Sequence, residues 1–187
     1  MTMAFEPARE RPGARRSRLE EMLRVDHAGE YGAVRIYQGQ RAVFDALPSK
    51  SEMSETLRRM EEGEAAHLKT FDALLADRTV RPTALAPLWN IAGYALGAAT
   101  ALMGEKAAMA ATEAVEGVIE RHYADQASEL QEVEPALAET IASFRNDELA
   151  HKKSAEDAGA HEAFAYPLLR AAIAAGCRLA IRLSEKL

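Results

Sequence analysis

Apolar residues recur at helical spacing through most of the chain, and no run of alternating β-branched residues interrupts them. Ala, Leu, Glu, Arg and Met fill the long stretches, so the pattern predicts an all-α protein. Ser17-Arg18-Leu19-Glu20 has capping-box form and predicts the start of a first helix, which runs past Tyr37 until Leu47-Pro48 stops it. Ser49-Lys50-Ser51-Glu52 can cap a second helix reaching about Ala76. The prolines at 82 and 87 bracket a linker, after which a third helical region extends to about Leu130. Pro135 suits a helix first turn, predicting a fourth helix as far as Ala158 with Gly159 as terminator, and a last helix follows Pro167. Residues 1–17 carry Arg9, Arg11, Arg15 and Arg16 without an apolar stretch and read as a disordered basic arm; residues 18–187 read as one domain.

Two segments stand apart from this pattern. Pro82 to Gly104 holds no charged residue over 23 positions, long enough to span a bilayer. Its alanines, Gly93, Gly97, two prolines and Asn90 dilute the bulky apolar content, which predicts a buried or membrane-surface helix instead. In the last helix Leu169, Ile173, Cys177 and Ala180 share one face while Arg170, Arg178 and Arg182 occupy another arc, the pattern of a basic amphipathic helix at a membrane surface. Gly29, Gly32 and Gly39 interrupt the first helix, each at a cost of roughly 1 kcal/mol relative to Ala. Either close helix packing or the approach of backbone to a helix carrying a site accounts for them.

The chain's 187 residues suffice for one buried core and leave no room for a second catalytic domain. A formal charge of −6 argues against nucleic acid as a partner. The single cysteine, Cys177, excludes an internal disulfide and a thiolate zinc cluster, so any metal must use carboxylate and imidazole.

Those ligand types occur in a pattern. Glu64-Ala65-Ala66-His67 and Glu148-Leu149-Ala150-His151 each place a carboxylate and an imidazole on one helix face. Chance supplies such spacings readily in a chain with 22 glutamates. The two elements, however, are offset by the same 84 residues at both Glu and His, and each is preceded by a further acid, Glu30 in the first half and Glu113 or Glu116 in the second. One Glu followed by Glu-x-x-His, given twice, is the ligand pattern of ferritin-like di-iron and di-manganese bundles. Four carboxylates balance two divalent ions, and oxygen and nitrogen donors without thiolate favour Fe or Mn. Asp26 and Asp147 could accept the second N–H of a metal-bound imidazole, and Tyr123 follows Glu116 by two turns with His122 beside it.

At this point the sequence resembles a known family. Arg24-Val25-Asp26-His27-Ala28-Gly29-Glu30-Tyr31-Gly32-Ala33, with Arg35-Ile36-Tyr37 and Gly39-Gln40, is similar to the first-helix motif of the demethoxyubiquinone hydroxylases. The likeness continues through Leu88–Gly93, Ala114-Val115-Glu116, His122-Tyr123, Glu148–His151, Ala175–Arg178 and Leu183–Glu185, covering about residue 20 to 187. It implies a ferritin-like four-helix bundle with two additional apolar or amphipathic helical segments. It implies two iron ions held by Glu30, Glu64, His67, Glu116, Glu148 and His151, with Glu64 and Glu148 bridging, and roles for Tyr123 and His122 in proton-coupled electron transfer. Glu113 stands where the family usually has an apolar residue.

The implied activity is a monooxygenase of ubiquinone biosynthesis that uses O₂ to hydroxylate the ring of a polyprenyl demethoxyubiquinol. Electrons are expected from NADH, for which no G-x-G-x-x-G motif is present. So lipophilic a substrate implies peripheral attachment to the cytoplasmic face of a bacterial inner membrane, or to the mitochondrial inner membrane in a eukaryote. A homo-oligomer or an accessory lipid-presenting protein is the partner this chemistry suits. The rival within the fold is an iron store or peroxidase of ferritin type.

Overall fold

A computed structural model describes residues 12–187, and all its regular structure is helical. Helix α1 spans Pro12–Phe44, α2 Ser51–Arg78, α3 Ala86–Leu102, α4 Glu105–Leu130, α5 Pro135–Asp157 and α6 Tyr166–Ser184. Single 3₁₀ turns at Pro48–Lys50 and Ala160–Glu162 complete the chain. Proline in the first turn of α3, α5 and α6 has no amide that the helix would use, so it starts each of them cheaply. Residues in the left-handed region end two of the helices: Thr79 at φ 57° closes α2, and Gly159 at φ 89° follows α5.

Two boundaries differ from expectation. Helix α1 already runs from Pro12, so Ser17 lies inside it and caps nothing; Glu20 accepts instead from Arg16 Nε at 2.8 Å. Residues 12–17 are thus helical, while the rest of the expected basic arm, residues 1–11, lies outside the described residues. The third helical region is two helices, because Gly104 at φ 110° turns the chain between α3 and α4.

Helices α1, α2, α4 and α5 form the four-helix bundle, with α1 packed on α2 and α4 on α5. Helix α3 leans on α1 and α6 on α4, so the internal repeat takes in a third helix in each half. The fold is the ferritin-like bundle with two added segments. Helix α4 is the innermost: every residue from Ala107 to Ile119 is buried, and the small side chains of Ala107, Ala108, Ala110, Ala111 and Ala114 let neighbours close on it from all sides. Around it Leu23, Phe71 and Ile141 fill one apolar cluster and Phe44, Leu57 and Met109 another, each fully buried large side chain contributing about 2 kcal/mol.

Helices α1 and α3 touch backbone to backbone at one end. A Cβ on Gly97 would sit 2.0 Å from the Ile36 carbonyl oxygen, and one on Gly39 would sit 2.2 Å from that of Tyr94. Packing therefore explains Gly39. Among the described residues no helix is long and apolar enough to cross a membrane. Helix α6 keeps the two arcs read from its sequence, with its apolar face packed on the core. Its Leu169–Ile173–Cys177 face turns inward against the core, and Arg170 is drawn onto Glu113 of α4, with Nε 3.0 Å from Oε2, which leaves Arg178 and Arg182 exposed. The outward apolar residues of α6 include Leu168 and Leu179, and those of α3 include Leu88, Ile91 and Leu102.

Candidate metal centre

Each Glu-x-x-His element lies on a continuous helix, so its two side chains rise from one face a turn apart. The bundle turns both of these faces inward, together with the Glu30 face of α1 and the Glu116 face of α4. Glu30 of α1, Glu64 and His67 of α2 and Glu148 of α5 form one group, and Glu64, Glu148, His151 of α5 and Glu116 of α4 form another. Within each group the candidate ligand atoms lie within 4.8 Å of one another, and Glu64 and Glu148 belong to both. His67 Nδ1 lies 3.6 Å from Glu30, 3.7 Å from Glu64 and 3.4 Å from Glu148. His151 Nδ1 lies 2.8 Å from Glu64 and 3.9 Å from Glu148. All six residues that the sequence singled out are thus brought together. Glu113, the alternative to Glu116, points elsewhere, onto Arg170 and the Tyr166 hydroxyl.

The electrostatics of this cluster ask for cations. The four glutamates are almost wholly inaccessible to solvent. Glu30 and Glu148 are each pushed up to about 8, by burial first and then by the charge on Glu64. Burial likewise raises Glu64, and burial with the Glu148 charge raises Glu116 well above the carboxylate range. Burial opposes the charged form of His67, yet the carboxyl groups of Glu148, Glu30 and Glu64 around its Nδ1 outweigh it and favour the protonated imidazole until a cation takes that proton's place. Both oxygens of Glu64 and of Glu148, one oxygen each of Glu30 and Glu116, and Nδ1 of both histidines are buried without a hydrogen-bond partner of good geometry. Such atoms are costly unless something binds them, and two divalent ions would satisfy this donor set.

The surrounding shell fixes the donors. His67 Nε2 lies 3.1 Å from Asp147 Oδ2, so it donates there and leaves Nδ1 as the acceptor for a cation. Phe144 stacks on the same ring at 4.0 Å. Asp26 does not play the matching part. It is buried beside His122, whose Nε2 is 3.4 Å from Oδ1, while Gln126 lies on that same imidazole nitrogen.

The Tyr123 hydroxyl donates to Glu30 Oε1. Its counterpart is a residue that the sequence pattern does not single out: the Tyr37 hydroxyl donates to Glu116 Oε1 at 2.5 Å. Tyr37 stands seven residues after Glu30, as Tyr123 stands seven after Glu116, so the repeat contained the signal. The two tyrosines cross over, each serving the glutamate of the other half.

An apolar cavity of about 570 Å³ lies between α1, α3, α4 and α6, so two of its walls are the helices that carry Glu30 and Glu116. Gly29 and Ala33 on its α1 wall lie close to Glu30 in sequence, and Val115 on its α4 wall adjoins Glu116. The volume suits a drug-sized ligand, and among the described residues no ionisable side chain except the Cys177 thiol lines it. Burial pushes that thiol up to about 11, so it stays neutral.

Comparison with known proteins decides the family. The profile for ubiquinone biosynthesis protein COQ7 matches residues 17–184. The chain belongs to this family. It is 53% identical over 168 residues to the 3-demethoxyubiquinol 3-hydroxylase of Rhodospirillum rubrum, covering 90% of this chain and 78% of the relative. It is 46% identical over 176 residues to the human NADPH-dependent 3-demethoxyubiquinone 3-hydroxylase, mitochondrial, covering 92% and 79%. The 5-demethoxyubiquinone hydroxylase, mitochondrial, of Saccharomyces cerevisiae is 37% identical over 184 residues, covering 90% and 78%. The expectation of a hydroxylating enzyme of ubiquinone biosynthesis is borne out, and the COQ7 resemblance extends over the helices that carry both Glu-x-x-His elements.

Proposed function

We propose that this COQ7-family protein inserts one atom of O₂ into the ring of a polyprenyl demethoxyubiquinol, at two iron ions held by Glu30, Glu64, His67, Glu116, Glu148 and His151. The observation that carries the reading is the pair of buried donor groups sharing Glu64 and Glu148, together with an apolar cavity walled by the helices that carry Glu30 and Glu116. An iron store or peroxidase needs the donors but no such cavity. Bound there, the iron pair supplies the redox chemistry that activates O₂.

The chain's own residues do the rest. The cavity walls seat the ring and exclude water. Glu64 and Glu148, present in both groups, would offer an oxygen to each ion, and Glu30 and Glu116 would each serve one. Tyr123 and Tyr37 hold a proton against Glu30 and Glu116, where the reaction consumes protons. Tyr123 and the His122–Asp26 pair beside it form the catalytic proton and electron path. In the overall step a ring C–H becomes C–OH, the second oxygen atom leaves as water, and two protons and two electrons are taken up. The electrons come from a nicotinamide; NADH follows from the resemblance, whereas the human relative's name specifies NADPH.

Iron-loaded protein supplied with either nucleotide, isotopically labelled O₂ and a short-chain demethoxyquinone is expected to yield a product heavier by one labelled oxygen atom. A product carrying oxygen from water, or no product with either nucleotide, overturns the reading.

The substrate's isoprenoid tail places the enzyme at a membrane surface, on the cytoplasmic face of a bacterial inner membrane or on the mitochondrial inner membrane. Leu88, Ile91 and Leu102 of α3 and Leu168 and Leu179 of α6 offer the contact, since each is more than half exposed and both helices wall the cavity. Replacing Ile91 and Leu168 together by Glu is expected to lower liposome co-sedimentation at least about tenfold, because two apolar side chains lose burial worth about 1.5 kcal/mol each or more. Thermal stability should stay at the parent's value. Undiminished co-sedimentation of the double variant would remove α3 and α6 as the contact.

A further inference from the structure

Three glycines that look alike in the first helix separate into two kinds in the structure. Gly39 is a packing residue, since its Cβ would strike the Tyr94 carbonyl. Gly29 and Gly32 are not, because a Cβ built on either would meet no atom of the described residues within 4 Å. Neither has the positive φ that would favour glycine. Both nonetheless lie in the middle of a long helix, where glycine is among the least favoured residues. Neither backbone conformation nor packing against the protein accounts for them.

Both residues line the apolar cavity, on the α1 face that also carries Val25, Ala28 and Ile36. The reason for the cavity's shape is visible in the α1–α3 contact. The helices touch at Gly39 and Gly97, and at Gly93 the approach is already looser, a Cβ there lying 3.0 Å from the Gly32 carbonyl oxygen. Toward Gly29 the wedge between them is cavity. Gly29 adjoins Glu30 in sequence, so one helix carries both this open wall and a donor of the candidate metal centre.

We propose that Gly29 and Gly32 determine what the cavity admits: the bare α1 backbone at these positions is the wall against which a flat, uncharged quinol ring lies, and any side chain there occupies the ligand's place. The inference rests on the quinol reading of the cavity. The lining fits such a ligand, being apolar apart from Trp89, Ser184 and Cys177, with the indole Nε1 already donating to Ser184 Oγ at 3.0 Å.

The chain's single tryptophan, Trp89, lines the cavity and reports occupancy without any turnover. The test titrates full-length, iron-loaded protein with a short-chain demethoxyquinone and reads quenching of Trp89 fluorescence, together with iron content, melting temperature and KM. Gly29→Ala and Gly32→Ala are expected to keep the parent's iron content and to melt at or a few degrees above the parent, because each improves the helix without a clash. Their dissociation constants for the quinone should rise about tenfold, and that of Gly32→Leu about a hundredfold, with KM following. Gly97→Ala supplies the contrast and should melt well below the parent, since its Cβ would lie 2.0 Å from the Ile36 oxygen.

If the two alanine variants melt as far below the parent as Gly97→Ala, the glycines are packing residues and the inference is wrong. It is equally wrong if Gly32→Leu binds the quinone as the parent does, or if the parent's Trp89 is not quenched at all. A parent that binds quinone and loses it on substitution, yet never hydroxylates it, sinks the proposed reaction and leaves this assignment of the two glycines standing.

Discussion

Glu148→Ala is expected to slow ring hydroxylation by at least about a thousandfold and to hold at most one iron per chain. Glu148 belongs to both donor groups, with one oxygen 3.4 Å from His67 Nδ1 and the other 3.9 Å from His151 Nδ1. Its loss therefore strips an oxygen from each ion's surroundings, whereas Glu30→Ala touches one group only. The helix itself does not suffer, since Ala is the better helix former. In metal-free protein the sign reverses: the variant removes a buried carboxyl group whose two oxygens have no hydrogen-bond partner of good geometry, so it should melt at or above the metal-free parent. A variant that merely misfolded would melt lower in both forms. Metal analysis, mass spectrometry of the product and melting with and without chelator check the three parts. Turnover at the parent rate would show that Glu148 holds no metal.

What the sequence pattern reaches is set by what a helical period can see. It sees which residues share a face, so the 84-residue repeat of Glu-x-x-His is enough to expect the inward faces that meet at Glu64, His67, Glu148 and His151. It does not see across helices. Arg170 reads as part of a solvent-facing arc because its partner Glu113 lies 57 residues away on α4. Gly104 is one more small residue in an uncharged run, and the turn that makes it necessary arises only when α3 must fold back onto α1. Ser17 carries a sound local capping signal, overridden because nothing between Pro12 and Ser17 stops the helix from starting earlier. Tyr37 is within reach, being the symmetry mate of Tyr123, but a buried tyrosine looks like core until its hydroxyl is seen on Glu116. The cavity is not legible at all, since Gly29, Gly32 and Gly39 differ only in what lies opposite them.

Metal-free protein is expected to lose stability as pH rises from about 5 to 8, the reverse of ordinary acid denaturation. Glu30 and Glu148 titrate near 8 in the folded, metal-free chain, because burial and the Glu64 charge disfavour their ionised forms, against an ordinary value of 4.5. The folded state therefore holds these protons more tightly than the unfolded state does. That stabilisation is complete below about 4.5 and is lost progressively as pH climbs through 8, by up to about 1.4 kcal/mol per pH unit for each group. His67 acts in the same direction and adds to the slope above its ordinary value of 6.5, where the unfolded chain has lost that proton and the folded chain still holds it. Iron or manganese changes the balance, since the ions take the place of the protons and release them on binding. The gap in melting temperature between metal-loaded and chelated protein should accordingly widen from about pH 5.5 to about pH 8. Glu30→Gln, which mimics the protonated carboxyl, should flatten part of the slope of the chelated protein. Calorimetry of both proteins at several pH values, with and without Mn²⁺, measures the effect. A chelated parent that grows more stable over the same range would mean that these carboxylates are ionised and satisfied without metal, and the centre would then have no need of ions.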